Sequence, residues 1–258
     1  AREVESVLDR ILAAAEGPES RLFESMRYAT LGGGKRFRPF LVCQSAALFS
    51  VGKSSALRVA AALLAEGLSP GARVALFADN GRAFVESWFG IAYAGMTVVP
   101  LATVLSAPEV SRRLAHARCD ALLHDDPRYE VAAAAVEELG REVPQLEIEG
   151  LGMGVLPAER PFDTTPGDAA MILYTSGTVR GARGAVITHA SLALHTAALV
   201  HHTLGLGPDD RVLGVLPLTH SYGIRMAVLA PFYAGARTIV VPRFDADETL
   251  GAIADEGI

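Results

Sequence analysis

Long apolar runs, cysteine, lysine and aromatic side chains are all scarce in this 258-residue sequence. No apolar run reaches the ~18 residues that a membrane-spanning helix needs, so we expect no membrane span. Cys43 and Cys119 lie 76 positions apart and form neither a disulfide framework nor a metal knuckle, which favours a reducing, cytoplasmic setting. With 20% charged and 7% aromatic residues, the chain is neither an acidic tail nor a coiled coil. Its net charge of −6 argues against nucleic-acid binding.

Lysine is confined to the start of the chain, at Lys35 and Lys53, and the charge balance shifts in the same region. Residues 1–63 contain nine basic and six acidic side chains, whereas residues 64–258 contain 14 and 23. The pattern up to residue 63 is helical throughout. We therefore predict two domains, an all-α segment over 1–63 and a second unit over 64–258.

Short β-branched runs alternate with helical patterns from Gly71 onward. The predicted strands are 73–77, 97–100, 120–124, 169–174, 211–217 and 237–242. Such alternation predicts an α/β fold with parallel strands joined by crossover helices. The sequence starts without Met and stops inside a helical pattern at 248–258, so we expect both ends to be cut.

A basic loop at Lys35, Arg36 and Arg38 follows three glycines and precedes a helix that Pro39 opens. Three cations beside a helix N-terminus can hold a diphosphate. A solvated basic turn accounts for the same composition.

The strings MRYATLGGGKRFRPFLV and KSSALRVAAAL resemble the N-terminal region of trans-isoprenyl diphosphate synthases of the farnesyl and geranylgeranyl type. This resemblance, over about residues 1–63, implies that Lys35 and Arg38 bind the diphosphate of isopentenyl diphosphate, with Arg36 as a supporting charge. The aspartate-rich Mg²⁺ motifs of that family are missing, because the pairs at 125–126 and 209–210 lack a third aspartate. We therefore expect no prenyl transfer.

A second candidate site follows the strand predicted at 169–174. The hydroxyls of Thr175, Ser176 and Thr178 can donate to phosphate oxygens, and nearby glycines allow the backbone to approach a ligand. These glycines are Gly177, Gly181 and Gly184. An ordinary glycine-rich connection between a strand and a helix explains the composition equally well.

A third string, VLPLTHSYGIRM at 215–226, places His220 and Tyr222 after another apolar strand. Open α/β sheets bind ligands at the carboxyl ends of their strands. Taken alone, a single histidine is more often structural than a ligand, and a single tyrosine is more often a packing residue.

Together these strings resemble the adenylate-forming superfamily, which includes acyl- and aryl-CoA synthetases, over about residues 56–258. The segment 174–178 and Gly184 match the family's phosphate loop, and 217–223 matches its next element. GIAYAGMTVVPL at 90–101 is similar to an early family signature. The resemblance implies the parallel βα layers of an incomplete adenylate-forming N-domain.

The family's reaction joins a small-molecule carboxylate to ATP with Mg²⁺, and a thiol such as coenzyme A then takes the acyl group. By resemblance, Ser176, Gly177 and Thr178 hold the β- and γ-phosphates, while His220 and Tyr222 border the pocket for the carboxylate and adenylate. The remaining residues assigned to nucleotide binding are Thr175, Gly181, Arg183 and Gly184.

The loop departs from the family pattern at Val179, Arg180, Ala182 and Arg183, which replace a hydroxyl residue, a glycine, a proline and a lysine. Arg183 keeps the positive charge in a planar rather than compact form, and we expect weakened ATP affinity. The family's acidic motifs for ribose and Mg²⁺ are missing. No lysine follows Lys53 to serve the family's catalytic role.

Three hypotheses follow. The first is a truncated acyl-CoA synthetase-type ligase, inactive as this piece. The second is an isoprenyl diphosphate synthase remnant, and the third is a non-catalytic chimera of two ancestries.

Overall fold

The computed structural model describes residues 53–151, 164–175 and 183–258. The predicted basic loop at Lys35, Arg36 and Arg38 lies outside these residues. So do Ser176, Gly177, Thr178 and Gly181 of the predicted phosphate loop.

The described residues alternate between strands and helices. The strands are β1 (Arg73–Phe77), β2 (Thr97–Pro100), β3 (Ala121–His124), β4 (Gln145–Glu147), β5 (Ala169–Tyr174), β6 (Gly184–Thr188), β7 (Arg211–Gly214) and β8 (Arg237–Val240). The helices are α1 (Lys53–Ala65), α2 (Arg82–Tyr93), α3 (Ala107–Ala117), α4 (Tyr129–Leu139), α5 (His189–Ala198), α6 (Ser221–Ile224), α7 (Ala230–Ala234) and α8 (Ala246–Glu256). Shorter helical turns are Asp126–Arg128 (3₁₀), Leu199–Leu204 (π) and Arg225–Leu229 (π).

The larger sheet in the described part of the chain has the strand order β4-β3-β1-β2-β5-β6. Its first five strands are parallel, so their carboxyl ends meet at one edge. Strands β7 and β8 pair in parallel in a separate two-stranded sheet. The predicted α/β fold with a mostly parallel sheet is therefore confirmed.

Strand β6 departs from the expected parallel arrangement. It runs antiparallel to β5, with Tyr174 opposite Gly184 and Leu173 opposite Ala185. A parallel crossover needs about a dozen residues or more, whereas only residues 175–183 separate these strands. The connection is therefore a hairpin.

Both faces of the sheet are covered by helices, because successive side chains of a strand point to opposite faces. Leu76 of β1 packs with α1 and α2 on one face, where Phe84 and Ile91 are also buried. Phe77 packs on the other face with α3 and α4, through Leu114 among others. Strands buried on both faces explain the continuous apolar runs in the sequence.

Helix α1 shares this core with α2. At Gly90 an added Cβ would lie 2.6 Å from the Ala56 carbonyl oxygen and 2.6 Å from Val59 Cβ, so the two helix backbones touch there. The predicted boundary at residue 63 falls within α1, whose buried residues Ala56 and Leu63 join one core cluster.

Predicted and observed bounds agree for β1, β2 and β5 and differ at several other elements. Strands β7 and β8 end three and two residues before their predicted ends, and helix α8 begins two residues earlier than its pattern suggested. Its start is set by Asp245, whose carboxylate accepts from the N–H groups of Asp247 and Glu248 at 3.0 Å. No described helix is long and apolar enough to cross a membrane.

Candidate functional site

The predicted phosphate loop is closed at its base by Thr175 and Arg183. The Thr175 N–H donates to the Arg183 carbonyl at 2.9 Å, and the Thr175 hydroxyl lies 3.5 Å from the same oxygen. The Arg183 side chain is exposed beside this closure. This closure lies at the carboxyl end of β5, at the edge where the parallel strands end.

Gly184 has a packing role at this base. An added Cβ would lie 2.9 Å from Ile172 Cγ2 and 3.5 Å from Tyr174 Cζ. Glycine at this position therefore leaves room for the Ile172 methyl where the two strands of the hairpin pack.

Tyr174, the last residue of β5, is attached to helix α3. Its hydroxyl lies 2.9 Å from His116 Nδ1 and donates to the Arg113 carbonyl at 3.4 Å. The Arg113 guanidinium sits 4.5 Å from the centre of the Tyr174 ring, in a cation–π arrangement. Burial raises the pKa of Tyr174 to about 12, so the phenol stays protonated at neutral pH.

The segment that leads to His220 is held by Asn80, which follows β1. The Asn80 side-chain amide donates to the Leu216 carbonyl at 2.9 Å and accepts from the Leu218 N–H at 2.8 Å. One side chain therefore forms hydrogen bonds with two backbone groups of the loop that follows β7. This pairing brings the loop to the carboxyl end of β1.

His220 and Tyr222 lie together at the start of α6. The His220 N–H donates to the Pro217 carbonyl at 3.0 Å, and the Ile224 N–H donates to the His220 carbonyl at 3.0 Å. Both side chains are exposed, Tyr222 by 63%. Gly223 makes this tight turn possible, because a Cβ there would lie 2.1 Å from the Pro217 carbonyl oxygen.

Next to Asn80, Asp79 joins three loops at the same edge. Its carboxylate pairs with Arg128 and lies 3.6 Å from Arg243, while its N–H donates to Asp125 at 2.8 Å. Burial raises the pKa of Asp79, but hydrogen bonds from Arg128 and Thr103 and the charges of Arg128 and Arg243 outweigh it and hold the pKa below its usual value. The cluster links the ends of β1, β3 and β8.

These features can be compared with known proteins. The AMP-binding enzyme family matches residues 53–258. The chain belongs to the AMP-binding enzyme family. Enzymes of this family use ATP and Mg²⁺.

Curated relatives of this AMP-binding chain are acyl-CoA ligases. A feruloyl-CoA synthase from an Amycolatopsis species is 30% identical over 203 residues, covering 78% of this chain and 40% of the relative. An indoleacetate–CoA ligase from Aromatoleum aromaticum is 30% identical over 213 residues, covering 78% and 41%. The chain thus spans about 40% of the length of the curated relatives it matches.

Solved structures show the same fold. ATP-bound MatB from Rhodopseudomonas palustris matches with a TM-score of 0.69 and 30% identity, covering 78% of this chain and 41% of that one. The N-terminal domain of FACL13 from Mycobacterium tuberculosis has a TM-score of 0.75 at 24% identity, covering 87% and 61%. The described sheet and helices are therefore those of the AMP-binding fold.

The AMP-binding chain brings some of the predicted site residues together and leaves others apart. Thr175, Arg183 and Gly184 meet at the base of one loop, and His220 and Tyr222 meet at the start of α6. Among the described residues, no hydrogen bond or ion pair joins these two groups. Their roles in catalysis remain predictions.

Sequence reasoning missed Asp79 and Asn80, although a signal for them was present. They follow the apolar strand 73–77 just as Thr175 follows β5, and polar residues after a parallel strand reach the ligand-binding edge.

No group of three histidine, cysteine or acidic side chains suited to a metal ion occurs within residues 53–151, 164–175 and 183–258. Cys119 is a buried free thiol, and burial raises its pKa to about 12. It therefore serves as a core residue of this chain.

Proposed function

We propose that this chain binds ATP and a carboxylic acid and contributes to forming an acyl-adenylate. In that reaction a carboxylate oxygen bonds to the α-phosphorus of ATP, and pyrophosphate leaves with the electrons of the broken P–O bond. A thiol such as coenzyme A then displaces AMP to give a thioester. Family membership supports this proposal, and the whole reaction belongs to proteins of which the chain spans about 40%.

The observation that carries the proposal is the closure of the loop by Thr175 and Arg183. It joins the two residues that flank the hydroxyl- and glycine-rich sequence 176–182, and the Arg183 side chain is exposed there. A guanidinium and backbone N–H groups neutralise phosphate charge as the pyrophosphate leaves. We assign the β- and γ-phosphates to Ser176, Gly177 and Thr178. The other residues that we assign to nucleotide binding are Thr175, Gly181, Arg183 and Gly184.

The second part of the proposed site is the start of α6. Asn80 and Gly223 hold the turn at His220, and its imidazole makes no hydrogen bond to another described residue. An exposed imidazole in a fixed turn can donate to a carboxylate or to an adenylate oxygen. Tyr222 offers a ring and a hydroxyl beside it. We propose that these two residues border the acid and the adenylate.

Mg²⁺ would screen the phosphate charge when bound, but the described residues offer no cluster of acidic ligands for it. We therefore derive no step through the metal. Binding of coenzyme A is likewise proposed from the ligase relatives alone. The names of those relatives cover acids as different as ferulate and indoleacetate, so they do not indicate one substrate.

ATP titration of the 258-residue chain tests the proposal, with carboxylate-dependent exchange of pyrophosphate into ATP as the second readout. We expect Arg183→Ala to weaken ATP binding about tenfold, the effect of losing one charge-assisted hydrogen bond. Arg183→Lys should retain most of the affinity, since its ammonium matches the family residue. Arg112→Ala, which removes an exposed arginine on α3, is the matched control.

Two results would contradict this function. One is a wild-type chain that binds no ATP. The other is equal ATP affinity in Arg183→Ala and the wild type. Exchange activity in the wild type would support the proposed function and show that the expectation of an inactive piece is wrong.

A separate proposal concerns residues 1–63, whose likeness to isoprenyl diphosphate synthases rests on the sequence motif alone. The family match begins at residue 53 and leaves Lys35, Arg36 and Arg38 outside it. We propose that this loop binds a diphosphate and that two ancestries meet within residues 53–67 in a cytoplasmic protein. Isopentenyl diphosphate binding that is lost in Arg38→Ala would support the proposal, and no binding by the wild type would refute it.

A further inference from the structure

Arg225 is a half-buried arginine without an anionic partner among the described residues. It opens the π turn after α6, and its Nε is buried with no hydrogen-bond acceptor. No described aspartate or glutamate forms an ion pair with it. A buried polar atom without a partner is costly, and a bound anion is one arrangement that would supply the missing acceptor.

The neighbourhood of Arg225 does not compensate its charge. Burial lowers the pKa of Arg225, which still stays protonated at neutral pH. Burial also lowers the pKa of His195 on α5, and the charge of Arg225 lowers it further, so His195 is neutral at pH 7. The region between α5 and α6 therefore carries one uncompensated positive charge from Arg225.

The helical register places Arg225 on the same face as the start of α6. Residues three and four apart are neighbours on a helix, so Arg225 lies beside Tyr222 and Ser221. Its N–H donates to the carbonyls of both residues. The opposite face, with Ile224 and Ala227, is buried in the core. Arg225 is thus on the face that carries the exposed Tyr222.

Arg225 is also displaced from His220 along the helix. Five residues of helix correspond to a rise of about 7 Å. An anion held by the guanidinium is therefore separate from a carboxylate that reacts at His220. A short carbon chain can span this distance.

We propose that Arg225 binds a second anionic group, a carboxylate or a sulfonate, on the acid that this chain activates. The guanidinium fork suits a planar carboxylate, which it binds through two parallel hydrogen bonds. The inference rests on the proposed function, which places the reacting carboxylate at His220. The substrate that we infer for this chain is a short acid with anionic groups at both ends.

Calorimetric titration of the 258-residue chain with glutarate and with pentanoate tests this assignment. The two acids share a five-carbon chain and differ in the second carboxylate. We expect glutarate to bind at least about tenfold more tightly than pentanoate, because its second carboxylate forms a charge-assisted pair with arginine. Arg225→Met should abolish the preference, and Arg225→Lys should restore part of it. Arg112→Met, which removes an exposed charge on α3, should leave it unchanged.

Folding is checked by thermal melting of each variant. Since Arg225→Met removes a buried unpaired charge, we expect its melting temperature to equal or exceed that of the wild type. The inference is overturned if the wild type binds both acids equally or neither, or if Arg225→Met keeps the preference. It is also overturned if Arg225→Met loses ATP binding but still prefers glutarate, which would assign Arg225 to the nucleotide. A chain that prefers glutarate but binds no ATP supports the Arg225 site and contradicts the proposed nucleotide function.

Discussion

The backbone N–H of Leu218 donates to the side-chain oxygen of Asn80 at 2.8 Å, across 138 positions of sequence. The same amide donates to the Leu216 carbonyl, so one residue after β1 holds the loop that leads to His220. Leu218 is fully buried, which makes its N–H dependent on this acceptor. The orientation of the α6 turn is thereby tied to the central strand of the larger sheet.

Asn80→Ala should destabilise the fold by about 1–3 kcal/mol, because it leaves a buried N–H without an acceptor. Asn80→Asp retains an oxygen for Leu218 but cannot donate to Leu216 at neutral pH, and it should cost less. Hydrogen exchange measured at the Leu218 amide should rise in Asn80→Ala and stay slow in Asn80→Asp. Arg82→Ala, which removes the neighbouring surface pair with Glu86, is the control. An unchanged rate of hydrogen exchange at the Leu218 amide in Asn80→Ala would contradict this role of Asn80.

Gly223→Ala should destabilise the chain by at least about 2 kcal/mol, because the new Cβ would lie 2.1 Å from the Pro217 carbonyl oxygen. Gly251→Ala provides the opposite case. Gly251 lies in α8 with no atom within 4 Å of an added Cβ, so alanine should stabilise by about 0.5–1 kcal/mol. Denaturant unfolding of both variants gives the comparison. A tolerated Gly223→Ala would mean that the α6 turn adopts another geometry.

Asp79 makes the stability of the fold depend on pH in the acidic range. Its pKa lies below the usual value in the folded chain, so its ion pair with Arg128 stabilises the fold fully above the unfolded pKa of about 4. The contribution is lost as pH falls through the folded pKa. Asp79→Asn should remove this contribution and leave the buried Arg128 without its counter-ion. We expect a lower melting temperature at pH 7 and a smaller difference between variant and wild type at pH 3. A difference in melting temperature between Asp79→Asn and the wild type that stays constant with pH would refute this role of Asp79.

Cys119 should resist alkylation while the chain is folded. Its thiol is buried, and a pKa of about 12 leaves almost no thiolate at pH 8. Mass spectrometry after iodoacetamide treatment should find the Cys119 peptide unmodified in buffer and fully modified in denaturant. Rapid labelling under native conditions would show that the core around α3 opens readily.

Local sequence was sufficient for four of the six strands of the larger sheet, and it missed β4 and β6. The runs 73–77, 97–100 and 169–174 are apolar throughout, and strands covered on both faces require that pattern. The phosphate loop stays a prediction, because an ordinary glycine-rich connection has the same composition. Strand β6 was not predicted, and its antiparallel pairing with β5 departs from the parallel arrangement that the strand–helix alternation indicates.

The sequence by itself determined most of the strands and helices, their α/β alternation and the family, because these depend on short-range patterns of side-chain type. Tertiary structure alone decided that Asn80 meets Leu216 and Leu218, that Asp79 joins Arg128 and Arg243, and that Arg225 lacks a described counter-ion. Such pairings depend on strand order and on which loops reach the same edge. Strand order follows from the packing of the whole core, which no local stretch of sequence contains.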